Sequence, residues 1–182
     1  MNTDLSRFNT GNYAAGPKWK IGLWYLVNYY VFNSALPWPY GFKRRLLRSF
    51  GAKVGKGLVI KTKVRIKYPW RLSIGDHCWI GESVWIDNLD DVYIGDHVCI
   101  SQGAMLLTGN HDYKRSDFPY RLGGIRIEDG VWIGAQSVVC PGIVCGSHAV
   151  LTVKSVAAKD MEAWGIYAGN PAISVRKREI LA

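Results

Sequence analysis

Residues 74–106 read IGDHCWIGESVWIDNLDDVYIGDHVCISQGAML, and an aliphatic residue returns in it every six positions. Ile74, Ile80 and Ile86 form one set of three; after a slip of two residues, Ile94, Ile100 and Leu106 form the next. Upstream, Val54, Ile60 and Ile66 precede another two-residue slip. Downstream, after a longer interruption, come Ile127, Ile133 and Val139, then without a slip Cys145, Leu151 and Ala157. Two positions before many of these sits a second small or apolar residue: Cys78, Val84, Val98, Ala104, Ser137, Ile143, Ala149, Ser155. Residues i−2 and i share a face only in extended chain. Six is no multiple of the 3.6-residue helical turn, so the repeat is not helical. Gly often follows the aliphatic residue (Gly55, Gly75, Gly81, Gly95, Gly134, Gly146), and a turn there favours it. Three hexads make one triangular coil, the slips fall where a corner absorbs two residues, and stacked coils bury the aliphatic columns. The expected class is mainly β, a parallel β-helix.

The chain has 182 residues, with 23 Lys+Arg against 14 Asp+Glu and a net charge of +9. Eleven of the basic residues lie within 43–71, which holds no acidic residue. The excess is therefore local, and it suggests an anionic partner for that segment. Cys78, Cys99, Cys140 and Cys145 form no CxxC pair and have no zinc-type spacing with His, so no metal is expected. No secretory leader is read at the start, and the stretch Ile21–Leu36 is too short and too polar to span a bilayer. A cytoplasmic protein with reduced thiols is the expectation.

Residues 1–51 read as an N-terminal segment with a helical cap, 52–175 as the β-helix with a loop at 108–125 inserted, and 176–182 as a tail. Apolar residues lie on nearly all sides of KWKIGLWYLVNYYVFN, and Pro37 and Pro39 break it. GFKRRLLRSF reads as an amphipathic helix with Phe42, Leu46, Leu47 and Phe50 against Lys43, Arg44, Arg45 and Arg48. Two readings stand: a cap over the open end of the solenoid, or a cap that also touches an anionic membrane or a lipid-linked glycan. Lys61, Lys63, Arg65 and Lys67 alternate with inward positions and should face outward beside it.

FGAKVG at 50–55, TGNHD at 108–112, EDGVWIGAQSVVCPG at 128–142 and AGNPA at 168–172, with the hexad repeat, resemble the hexapeptide-repeat acyltransferases. The likeness runs to the exopolysaccharide sugar O-acetyltransferases of the colanic acid type and to the maltose and galactoside acetyltransferases. It implies a left-handed β-helix, a homotrimer and acetyl-CoA as acyl donor.

The interrupting loop contains His111 between Asn110 and Asp112. Long loops on rigid scaffolds often carry function. Histidine suits the removal of a hydroxyl proton near neutral pH, and the resemblance places the catalytic base at His111. Either Asp112 or a backbone carbonyl orients its ring. The resemblance also implies that the donor meets Trp132, Gly134, Ala135, Val153, Ala158 and Lys159, and by their charge Lys159, Arg176, Lys177 and Arg178 are candidates to meet its nucleotide phosphates. Asp87, Asn88, Asn110 and Asp112 are the candidate acceptor contacts, although Asp and Asn also favour turns. His77 and His97 share a hexad slot and should stack as a turn-face ladder. The γ-class carbonic anhydrases use a pair of His four residues apart, which this chain lacks, and His148 stands in a turn without an evident partner.

The expected activity is O-acetylation of a sugar hydroxyl by direct transfer, in surface-glycan assembly, at the inner face of the membrane or free in the cytoplasm. Alternatives are N-acetylation of an amino or nucleotide sugar, and a non-catalytic scaffold with a basic membrane-binding end. No aromatic–basic nucleic-acid motif is present.

Overall fold

The computed structural model describes residues 2–181. Two helices precede the strands: α1 at Lys18–Val27, which runs on through a π-helical turn at Asn28–Phe32, and α2 at Tyr40–Ser49. Short strands then cycle among three faces of a triangular prism, forming sheets of five, seven and five strands that are parallel but for the last strand of the second. In the first coil, Lys53–Val54, Val59–Ile60 and Arg65–Ile66 begin the first, second and third faces.

The registers follow the hexad count. Ile74 pairs with Ile94 and Ile94 with Ile127; Ile80 with Ile100 and Ile100 with Ile133; Ile86 with Leu106 and Leu106 with Val139. All of these are buried and form the core, together with Cys78, Val84, Val98 and Ala104. The slips do fall at a corner, between the third face and the next first-face strand (Arg65–Ile66 to Leu72–Ile74, Trp85–Asp87 to Val92–Ile94).

The role of the glycines differs from the expectation. The left-handed turn residue is the third after the aliphatic one, not the first. Gly57, Lys63, His77, Ser83, His97, Gly103, Gly130, Gln136, Gly142, His148 and Lys154 all have φ between 54° and 80°. The Gly immediately after the aliphatic residue is selected by coil-to-coil distance. A Cβ on Gly81 would lie 2.6 Å from the Gln102 N and 2.8 Å from the Ser101 carbonyl carbon.

The basic cluster has a structural cause. First-coil N–H groups donate to second-coil carbonyls (Gly55 to Ile74, Lys61 to Ile80), so first-coil carbonyls face the open end. Such an edge needs cover, and Lys and Arg are donor-only side chains. Arg48 donates to Val54 and Gly55 O, Arg44 to Leu58 O, and Lys43 Nζ to Ile60 and Lys61 O at 3.1 and 2.7 Å. Trp24 of α1 closes the third face through Ile66 O at 2.8 Å. Lys43 therefore departs from its expected place on a solvated face: it is 1% exposed, and burial lowers its pKa. Lys43→Ala should cost about 2–3 kcal/mol by orphaning two carbonyls, read as a lowered midpoint in urea.

At the other end, Gly165–Gly169 turns back into Ala172–Lys177, paired antiparallel. The sequence reading has no counterpart for this hairpin, and its last strand runs through the residues read there as the start of a tail.

Candidate functional site

The loop leaves the prism after the third-face strand Met105–Leu107 and returns at the first-face strand Ile125–Ile127. Its arms are tied by a bridge between His111 and Tyr120 and by Asp112 N–H donating to Pro119 O at 2.9 Å. The ring of His111 stacks on Phe118, with centroids 4.4 Å apart and planes at 11°. Its Nδ1 lies 2.8 Å from the Phe118 carbonyl oxygen. A carbonyl only accepts, so Nδ1 carries the proton and Nε2 is left with a free lone pair. The alternatives left open by the sequence are thereby resolved: the backbone carbonyl orients the ring. Asp112 Oδ1 accepts from Lys114 N–H, and Asn110 Oδ1 from His111 N–H.

The N-terminal segment completes the surroundings of the histidine, which the sequence reading missed. Phe8 lies 5.7 Å from the His111 ring and 5.3 Å from Tyr120, and Tyr13 lies 5.5 Å from Tyr120. Asp4 N–H donates to Ser116 O, and the Tyr13 hydroxyl to Leu89 O. Burial raises the Tyr13 pKa, which keeps the phenol a donor. These contacts join residues about a hundred positions apart, and no local motif announces them. A cleft of about 420 Å³ opens at the base of the loop, with Asn110, Arg121, Gly123, Cys140, Pro141 and Gly142 in its wall.

Asp87 ends the third-face strand Trp85–Asp87, and its carboxylate meets Lys67 Nζ at 3.0 Å. Burial pulls the Lys67 ammonium down, but the bond to Asp87 outweighs it and leaves its pKa raised. Asn88 is a correction. It is fully buried, its Nδ2 donates to Tyr68 O, and its Oδ1 accepts from Lys67 and Tyr68 N–H. Its amide holds the corner, and burial keeps it from an acceptor.

Trp132 stands on the second face, 47% exposed, with Nε1 donating to Ser101 Oγ at 2.8 Å. Val153, Ala158, Lys159 and Arg176 are exposed. The Gly134 N–H and Ala135 carbonyl are already engaged, with Leu151 O and Lys154 N–H. Arg178, expected near phosphates, instead donates to Gly130 and His148 O, and Lys177 pairs with Glu162. The loop and Trp132 lie on opposite sides of the prism, since the third-to-first corner faces the second sheet.

The stacked histidines are present, with His77 and His97 rings 5.4 Å apart at 13°. His148 does have a partner, Trp164 at 4.3 Å, and occupies the same turn slot two coils beyond His97. Among the described residues no three His, Cys, Asp or Glu form a metal-holding group. Burial raises all four thiols, Cys78 to about 11 and Cys145 to about 12, so none is a ready thiolate nucleophile.

Stacked six-residue coils interrupted by one histidine-bearing loop are the build of the hexapeptide-repeat proteins. No family model matches the chain. It is 36% identical over 176 residues, 96% of its own length and 97% of the relative's, to the Escherichia coli (strain K12) protein named as a colanic acid biosynthesis acetyltransferase, WcaF. It is 28% identical to the galactoside O-acetyltransferase of the same organism, over 81% of this chain and 74% of that one. Its fold matches the hexapeptide-repeat acetyltransferase of Vibrio cholerae O1 biovar eltor crystallised with acetyl coenzyme A, with a TM-score of 0.77, 24% identity, and 90% and 87% of the two chains covered. The chain belongs to the hexapeptide-repeat acetyltransferases of the colanic acid type and is an enzyme, which sets aside the scaffold reading.

Proposed function

We propose that the chain transfers the acetyl group of acetyl-CoA to a sugar hydroxyl in surface-glycan assembly, with His111 as general base. The observation that carries this is the 2.8 Å contact of His111 Nδ1 with the Phe118 carbonyl, which holds the ring in the tautomer whose Nε2 accepts a proton. His111 takes the acceptor's hydroxyl proton as that oxygen bonds to the thioester carbonyl carbon. The carbon–sulfur bond then breaks, and the proton passes to the departing sulfur. The raised thiols argue for this direct route over a cysteinyl intermediate. The names of the two Escherichia coli relatives and the acetyl-CoA complex of the Vibrio cholerae protein support the donor and the acceptor class.

On this reading Trp132, Gly134, Ala135, Val153, Ala158, Lys159 and Arg176 line the donor's path, and Asp87, Asn110 and Asp112 meet the acceptor. The His111 loop leaves the third-to-first corner, where Ala158 and Lys159 also lie, whereas Trp132 stands on the second face, so a second copy would bring its Trp132 to the first copy's His111. A cyclic homotrimer does this with one interface repeated. N-acetylation of an amino sugar would give an alkali-stable amide in place of an ester.

The test is mass spectrometry of glycans incubated with acetyl-CoA and the enzyme: a gain of one acetyl, lost in mild alkali, supports O-transfer. Trp132→Ala should raise the KM for acetyl-CoA about tenfold by removing an aromatic contact, with kcat little changed. An unchanged KM would remove Trp132 from the donor site.

A further inference from the structure

The helix α1 buries one side and leaves an apolar side bare. Trp24, Val31 and Phe32 pack on the first coil, whereas Trp19, Leu23, Tyr25, Leu26, Tyr29 and Tyr30 are between 48% and 71% exposed. Helices that are apolar all round are normally enclosed, and a bare patch of this kind marks an interaction surface. Its rim is cationic. Between Asp4 and Asp76 the sequence has fourteen basic residues and no acidic one. Some of these cap carbonyls, but Lys18, Arg45, Lys61, Lys63 and Arg65 are exposed. Face and rim are joined: Tyr25 shares a crevice with Arg65 and Lys67.

We infer that this face of α1 docks the enzyme on an anionic lipid bilayer, lying in its interface. The inference rests on the reading of the basic end as membrane-facing, and it moves the anchoring from the 61–67 stripe to α1. The chemistry selects the occupant. Trp and Tyr carry an apolar body with a polar handle and settle at the headgroup level, while Leu enters the acyl boundary. Exposed Lys and Arg add attraction to anionic headgroups. A second copy is a poorer fit, because pairing two such faces would set their cationic rims against each other. Among the described residues no helix is long and apolar enough to cross a membrane, so the contact lies on the surface. The same crevice of Tyr25, Arg65 and Lys67 also contains Asp87, which places a proposed acceptor contact beside the docked face.

The test is co-sedimentation with vesicles of phosphatidylcholine alone and with a third phosphatidylglycerol, using the full chain. Wild type should bind the anionic vesicles and weaken with salt. Trp19→Ser/Leu23→Ser/Leu26→Ser should bind them at least about tenfold more weakly, with an unchanged melting temperature. Lys61→Gln/Lys63→Gln should mainly flatten the salt dependence. If the serine variant binds like wild type while the glutamine variant does not, the α1 assignment falls and the basic-end reading stands. If wild type ignores both vesicles, both fall. If wild type sediments alone as an assembly that the serine variant dissolves, the face belongs to a second copy and the inference is overturned. Acetyl transfer is read separately, through His111.

Discussion

His111→Ala lowers kcat for acetyl transfer by about 10²–10⁴-fold, the usual contribution of a positioned general base, and leaves the KM for acetyl-CoA nearly unchanged. The loop keeps its shape in the variant, because its arms are tied by backbone bonds (Asp112 to Pro119, Arg121 to Asn110) that do not involve the imidazole. The loss is then chemical. A second variant separates this from a general sensitivity of the loop. Asp112→Asn should cost less than about tenfold, since the Phe118 carbonyl rather than Asp112 fixes the tautomer. Equal losses of kcat in the two variants, with the acceptor KM of Asp112→Asn unchanged, would sink the assignment of the orienting group. Full activity in His111→Ala, measured as thiol release with an acetylated product, would sink the base.

Gly81→Ala is expected to be among the most damaging small substitutions in the coils. The added carbon would sit 2.6 Å from the Gln102 N and 2.8 Å from the Ser101 carbonyl carbon. Both are backbone atoms of the next coil, held by the ladder bond from Gly81 N–H to Ile100 O at 2.8 Å. No rotamer relieves the contact, so the coils must part locally, at about 3 kcal/mol. For a chain of this length that lowers the melting temperature by about 6–12 °C. Gly22→Ala is the control. It lies in α1 with nothing within 4 Å of the new carbon, and should stabilise by about 0.5–1 kcal/mol through helix propensity. If both variants melt alike, steric spacing of the coils is not what selects Gly81.

The sequence states the coil architecture because the repeat is local and every turn restates it. Ile74, Ile80 and Ile86 identify three faces within thirteen residues, and the register of all later coils follows from the same count. His111 is legible for a similar reason: it stands where the repeat stops, in a run that matches a known family. The surroundings of His111 are not legible. Phe8 reaches its ring, and Tyr13 the neighbouring Tyr120, from the far end of the chain, and nothing near them signals the contacts. Asn88 looks like a ligand beside Asp87 because Asp and Asn serve corners and sugars equally well in sequence; only its burial and its bonds to Tyr68 separate the two uses.

By itself, then, the sequence determined that the chain winds in six-residue steps around a buried aliphatic column, because strand periodicity and spacing are properties of neighbouring residues. The tertiary structure decided what the steps are for. It showed that the glycine after each aliphatic residue keeps one coil within hydrogen-bonding distance of the next, while the left-handed turn sits two residues later, on His, Lys, Ser, Gln or Gly. It also showed that much of the basic run on α2 exists because first-coil carbonyls point out of an open end and need donors. Both facts concern atoms brought together by stacking, between residues from six to about twenty-one apart, and a one-dimensional pattern cannot contain them.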